Sequence, residues 1–461
     1  MLMFAGCCRS RLVDDCQRAL LDEMRWNGEM SIRTRTLSIA VLLAVLPLSA
    51  CMASPPEAAP GQIDDLWPKA REVTPGDPWI VGMGDSFISG EAGRWASNGE
   101  SNAQIPQNGG WLLGTNDQAY GDAPDGKESI PYCHRSATAT MFVGQGWNSK
   151  NLACSGAMTT SFVNQYDRAK PGIDFAALAT ASGEKFVGQA TRLQEFAKEN
   201  KVKVVALSIG GNDLGFADII STCLTDWIVD TKCRNSDYIA ARVNPAAQKI
   251  ISQRIFTAIS NVNKAMQQAG YTRDDWRLML QLPPSPVPPS ALAQYPDVGF
   301  NRQLLGGCGL LDDDLDWAND TLLHFLDTTI TSAAKQAART PGFASMTTVD
   351  MRNAFVGHRL CERGTTRPDA GTGIPPAGFA QNVEWVRFIS VLAAEGYSTS
   401  PEAQEAMHPM YFGQRTLSAC MKAAIAQPVT TIAVACNRDE PLTFNEDAQP
   451  RVTVTPTQLP S

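Results

Sequence analysis

Two distant stretches of the chain hold side chains that suit acyl chemistry. "VGMGDSFISGE" begins at Val81 and puts Asp85 and Ser86 behind an apolar run and two glycines. "EAMHPMYFG" carries His408 far downstream. A serine hydroxyl is a poor nucleophile until a neighbouring base takes its proton. Attack on a carbonyl then builds negative charge on oxygen, and that charge needs aimed donors. Such a site needs a serine on a tight turn, donors beside it and a histidine brought in from elsewhere.

Each part has a candidate. Ser86 follows a strand-like run, and its own N–H would serve as one donor in the turn. Gly84 lets the backbone turn sharply, and Asp85 is expected to hold the turn through nearby N–H groups. A dinucleotide loop fits worse, because Phe87 stands where the third glycine is needed. Gly156 in "NLACSGAMT" offers a second backbone N–H. Asn212 in "LSIGGNDLGF" follows two glycines, so its amide can reach past a strand end. The alternative is that Asn212 caps the next helix, a role for which Asp213 competes. Of the four histidines, His134 adjoins Cys133, His324 falls within an amphipathic helix and His358 lies close to Cys361. All three read as structural, which leaves His408 as the base. Its place before Pro409, at an expected helix start, favours a neutral imidazole. Glu405 lies three residues earlier and is a candidate to orient the ring.

Strands and helices alternate around these residues. "PWIVGMGD", "KNLACSG", "KVKVVALSIGG", "WRLMLQLPP" and "FASMTTVDM" read as strands. "RSATATMFVGQGW", "GQATRLQEFAKEN", the long run from Asn244 to Gly270, "WANDTLLHFLDTTITSAAKQAAR" and "HPMYFGQRTLSACMKAAIAQ" read as helices, the last with Pro409 in its first turn. This alternation predicts a three-layer α/β/α domain with a mainly parallel central sheet. Ligands of such sheets sit beyond the carboxyl ends of the strands. Ser86, Gly156 and Asn212 therefore fall on one rim. The polar, Gly-rich stretch 93–131 reads as a loop insertion. Trp95, Trp111 and Trp147 read as loop-packing aromatics more than as an acyl or sugar site.

Composition bounds the partners. The 461 residues are 44% hydrophobic and 19% charged, with net charge −8. No basic patch stands out, which argues against nucleic acid. "SIRTRTLSIAVLLAVLPLSACMAS" has two arginines, a short apolar stretch and small residues before Cys51, the layout of an export signal. Its Leu48-Ser49-Ala50-Cys51 ending resembles the bacterial lipobox, making Cys51 the lipidation candidate and a membrane the partner of its lipid. Residues 1–29 read as an extension upstream of the true start at Met30. Residues 30–50 form the signal, 51–66 a tether, 67–438 the folded domain and 439–461 a Pro/Thr-rich disordered tail. Cys133, Cys154, Cys223, Cys233, Cys308, Cys361, Cys420 and Cys436 make an even set, which in an exported chain suggests disulfides of undetermined connectivity. No CxxC or HExxH pattern occurs, so neither a metal nor a cofactor is expected. A monomer is expected.

"GDSFISGE", the glycine of "NLACSGA", "GGND" and "HP" resemble, in order, the four blocks of the SGNH (GDSL) hydrolases. The match runs from Trp79 to Ala426. The cysteines resemble those of the secreted actinobacterial lipase and esterase branch. Pairing sequence neighbours gives 133 with 154, 223 with 233 and 308 with 361, all similar to that branch, and 420 with 436 as an addition. The resemblance implies an ester hydrolase with Ser86 as nucleophile and His408 as base. It implies an oxyanion hole of Ser86 N–H, Gly156 N–H and the Asn212 amide. The family usually has aspartate where this chain has Glu405. Some members of the branch use a backbone carbonyl instead, so those of Ala406 and Met407 rival the Glu405 carboxylate. Lipids, small esters and acetylated glycans all remain open as substrates. The alternatives are an acyltransferase, or a non-catalytic glycan- or lipid-binding lipoprotein on a hydrolase scaffold.

Overall fold

Apolar, β-branched runs build the core of a seven-stranded sheet. Its strands are β1 (Trp79–Gly84), β2 (Asn148–Asn151), β3 (Val202–Ser208), β4 (Arg277–Leu282), β5 (Ser345–Asp350), β6 (Ala433–Arg438) and β7 (Val452–Pro456). The computed structural model describes residues 73–95, 97–98, 120–123, 125–366, 381–389, 404–445, 447 and 449–459. The sheet order is β7-β6-β5-β4-β3-β1-β2. Every neighbouring pair is parallel except β6 with β7. β1, β3 and β4 are buried almost end to end, as strands covered on both faces must be.

The helices that frame the sheet and its rim are α1 (Ser86–Ser89), α2 (Gln189–Glu199), α3 (Gly211–Leu214), α4 (Phe216–Ile228), α5 (Pro245–Gln268), α6 (Leu323–Ala338) and α7 (Tyr411–Ile425). α2 packs on α5 and α5 on α6, while α7 lies against β5, β6 and β7. Helices thus cover both sides of the sheet, the expected three-layer α/β/α architecture. Asn244 caps α5 by accepting from the N–H groups of Ala246 and Ala247, with Pro245 in the first turn.

β2 lies on one side of β1 and β3 on the other. The chain reverses its direction of travel across the sheet there. A crevice opens beyond the strand ends at such a switch point, and both Ser86 and Asn212 leave the sheet at it.

The four disulfides join Cys133 to Cys154, Cys223 to Cys233, Cys308 to Cys361 and Cys420 to Cys436. This is the pairing of sequence neighbours.

Three expectations are corrected. Arg135–Trp147 forms turns, not a helix. Arg135 instead donates from Nε to the Ala153 carbonyl at 2.6 Å, Ser136 bonds Thr138 at 2.7 Å, and Gly144 and Gly146 take positive φ. Local side-chain bonds of this kind compete with a helix. The last helix begins at Tyr411 with Met410 as its cap, so His408 and Pro409 precede it, His408 in a bend and Pro409 bridged to Val386. The stretch 439–461 is not a free tail: Val452–Pro456 is β7, and Gln449 is fully buried. Val and Thr alternate there, and that period of two suits a strand.

Residues 1–66, with Cys51, and Trp111 lie outside the described residues. Among those described, no helix is long and apolar enough to cross a membrane.

Candidate active site

β1 delivers its end to a strained turn. Gly84 has φ +133°, and a Cβ there would meet the Ser208 carbonyl oxygen at 1.8 Å, so only glycine fits. Gln189 clamps this residue, accepting from Gly84 N–H and donating to its carbonyl, each at 2.8 Å. Asp85 donates its N–H to Ser208 at 2.9 Å, and its carboxylate accepts from Phe87 N–H at 3.2 Å to cap α1. Burial pushes the Asp85 carboxyl up to about 7, with the charge of Asp213 adding to it. Ser86 is thereby held at the first position of α1, its side chain at the rim.

His408 comes to it from the other end of the domain. Its Nε2 lies 2.7 Å from Ser86 Oγ, and its Nδ1 lies 2.9 Å from the Ala406 carbonyl. A carbonyl only accepts, so Nδ1 carries the proton and Nε2 offers its lone pair to the serine. Burial holds the imidazole below its ordinary value, against the upward pull of Glu91. That lowering was expected from a helix end; desolvation is its cause. Phe87 leans on the ring at 5.1 Å. The backbone fixes the segment: Arg387 N–H donates to His408 O and Met407 N–H to Arg387 O, both at 2.9 Å.

Glu405 does not orient the ring. Its carboxylate is fully buried and faces away, taking a bidentate bond from Arg94 at 2.5 and 3.0 Å and one from Trp95 Nε1 at 2.7 Å. The Tyr120 hydroxyl donates a further short bond. A guanidinium fork satisfies a buried carboxylate far better than an imidazole N–H would. The Ala406 carbonyl takes the orienting position instead. Beside this cluster Glu91 bonds His134 Nδ1 at 2.7 Å, and the His134 ring stacks on Tyr120.

The donors converge on the same rim. After β2 the chain continues along β1, with Leu152 N–H on Gly82 O and Cys154 N–H on Gly84 O. This carries Gly156, with φ +77°, to the cleft beside Ser86. Among the described residues, neither Ser86 N–H nor Gly156 N–H has an acceptor. Asn212 sits inside α3, whose cap is Gly210, so neither Asn212 nor Asp213 caps it. One N–H of the Asn212 amide goes to Ala157 O at 2.9 Å, which leaves the other for a ligand. Asp213 accepts from Thr159 N–H and hydroxyl at 2.9 and 2.6 Å and so ties α3 to the Gly156 loop. An open cleft is lined by Ser86, Phe87, Gly156, Lys170, Asn212 and His408.

Four of the five residues expected to meet do so, and Glu405 stands apart. The other histidines lie outside this site. His358 Nδ1 bonds Val383 O at 2.8 Å with its ring stacked on Trp385, and His324 is exposed on α6. Trp95 is spent on Glu405, and Trp147 packs on the core. Lys170, Arg94 and Tyr120 were not foreseen, since no motif surrounds them, and Glu91, though it closes the "GDSFISGE" block, was given no role.

No family model and no curated protein matches the chain. It is similar in structure to an extracellular lipase from Streptomyces rimosus, at 18% identity and TM-score 0.38, over 75% of this chain and 99% of that one. It is similar to a carbohydrate acetylesterase from Sinorhizobium meliloti, at 14% and 0.24, over 58% and 84%. An aryl esterase from M. smegmatis gives 12% and 0.25, over 64% and 89%. At these identities and scores the chemistry has to be read from the chain's own geometry.

Proposed function

We propose that this chain is a serine carboxylic ester hydrolase of the SGNH kind. The observation that carries the reading is the Ser86 Oγ to His408 Nε2 contact of 2.7 Å, with Nδ1 held at 2.9 Å by Ala406 O. His408 takes the hydroxyl proton as Ser86 attacks the ester carbonyl. The oxygen that becomes negative meets the N–H groups of Ser86 and Gly156 and the Asn212 amide. His408 then gives its proton to the leaving alcohol, and the acyl-serine remains. A water, deprotonated by the same imidazole, attacks the acyl carbon; the acid departs and Ser86 recovers its proton. The cycle balances with no further reactant.

A small apolar pocket, walled by Pro283, Pro284, Leu326 and Ile330, shares Phe87 and Phe216 with the cleft. It supports placing the acyl part there and the alcohol in the open cleft. Export fits the four disulfides, and Cys51 is proposed to carry a lipid that tethers the enzyme to a membrane.

The test is turnover of p-nitrophenyl esters of graded acyl length by the chain lacking residues 1–51, beside Ser86→Ala and His408→Ala. Loss of kcat on the order of 10⁴–10⁶-fold in both variants is expected. Wild-type protein with no turnover but tight glycan or lipid binding would favour the non-catalytic alternative. Product transfer to an added alcohol faster than to water would favour an acyltransferase.

A further inference from the structure

Lys170 ends a short hairpin formed by Phe162–Val163 and Ala169–Lys170. It is 5% exposed, yet among the described residues no carboxylate lies within ion-pairing distance of it. Its Nζ donates instead to two carbonyls, Ser155 O at 2.7 Å and Tyr132 O at 2.8 Å. Burying an ammonium without a counter-ion is costly. A lysine kept there for stability alone is an uneconomical choice, since a neutral residue of similar volume would avoid the cost.

The carbonyl it holds matters. Ser155 C=O and Gly156 N–H belong to one planar trans peptide and point in opposite directions. Fixing the carbonyl therefore fixes where the N–H points. Gly156, at φ +77°, lacks the side chain that would otherwise restrict this peptide. A Cβ on Gly156 would lie 3.5 Å from Lys170 Nζ, so the cation sits beside the donor. A positive charge on the carbonyl end also polarises the amide and strengthens its N–H as a donor. The rest of Ser155 is pinned as well: its N–H goes to Cys133 O at 2.9 Å, and its hydroxyl meets Gln404 Nε2 at 2.9 Å.

We infer that Lys170 is a positioning residue of the oxyanion hole, holding and polarising the Ser155–Gly156 peptide so that the Gly156 N–H serves the developing oxyanion. The inference rests on the serine-hydrolase reading above. Burial lowers the Lys170 ammonium to about 8. The charged groups around it are Glu91 behind α1 and Glu128 in the loop before Cys133, which favour its charged form. Arg168 on its own hairpin opposes it. A neutral amine keeps two N–H donors but loses the charge, so the polarising part of its contribution is complete below this value and fades as pH rises through it.

The experiment is kcat and KM against pH for the wild type, Ser86→Ala, Lys170→Met and Lys170→Gln, with melting midpoints for each. Expected is a wild-type kcat that falls on the alkaline side near pH 8. In Lys170→Met, kcat should drop about 10- to 100-fold at neutral pH, less than the ~10²–10³ for losing a donor outright. KM should stay within about twofold, and the alkaline fall should vanish. Lys170→Gln keeps a donor without the charge and should lie between. If the wild type turns over and Ser86→Ala does not, but a folded Lys170→Met matches wild type in kcat and pH profile, the inference is overturned and the hydrolase reading stands. A flat wild-type kcat from about pH 7 to 9.5 overturns it even if both variants fail to fold. No wild-type turnover overturns both.

Discussion

Glu405→Gln separates a carboxylate that orients the base from one that anchors its loop. The Glu405 oxygens receive four bonds: Arg94 Nε and Tyr120 OH on Oε1, Arg94 Nη2 and Trp95 Nε1 on Oε2. A glutamine has one acceptor oxygen, and its NH2 then faces two donors. If the NH2 replaces Oε1, Tyr120 can turn its hydroxyl and accept, but Arg94 Nε is left facing a donor. If it replaces Oε2, Arg94 and Trp95 are both left so. The guanidinium of Arg94, 3% exposed, also loses its counter-charge. Breaking one side of a buried pair costs about 3–5 kcal/mol. In a domain of this size one kcal/mol moves Tm by about 1–2 °C, so calorimetry should show a fall of about 3–10 °C. The His408 backbone keeps its bonds to Arg387, and Nδ1 keeps Ala406 O. The kcat of the folded variant should therefore fall less than about tenfold. Removing a true triad carboxylate costs ~10⁴. A Glu405→Gln protein with wild-type Tm and a 10⁴-fold loss of kcat would refute this assignment.

Three further outcomes follow from the geometry. Asn212→Ala should lower kcat by ~10²–10³ with little change in KM in ester hydrolysis, and an equal rise in KM with kcat preserved would make the amide a substrate-binding group instead. His408 must be neutral to act, and burial holds it below 6.5, so kcat/KM should be lost only as pH falls below that value; an acidic limb above 6.5 in initial-rate assays contradicts the lowering by burial. Replacing Cys133 and Cys154 by serine opens a bridge spanning 21 residues, which should cost ~3 kcal/mol in chemical denaturation and also reduce kcat, because Gly156 follows Cys154 by two residues; unchanged kcat would detach the bridge from the site.

Much of this architecture is legible in local pattern. The strands ending at Gly84 and Ser208 show as apolar runs stopped by glycines, and α5 shows through its cap and period. Ser86, Gly156, Asn212 and His408 are found because each stands at a fixed offset from such an element. The direction of the Glu405 side chain is not legible, because Arg94, Trp95 and Tyr120 are 285 to 311 residues away in sequence. Lys170 is hidden for another reason: its partners are bare backbone carbonyls, which leave no side-chain pattern in the sequence. The region from Arg135 to Trp147 misleads because its alanines suit a helix, while its β-branched threonines do not and Arg135 and Ser136 find better bonds in the loop. The C-terminal stretch misleads through its prolines, although "VTVT" holds a strand period.

Ser86 and His408 are separated by 322 positions in the chain, and four of the seven strands of the sheet, β2 to β5, are laid down between them. No fragment that stops short of residue 408 holds the pair. A p-nitrophenyl ester assay on this protein would thus double as a gauge of maturation, silent in a nascent or half-assembled chain and switched on only at completion.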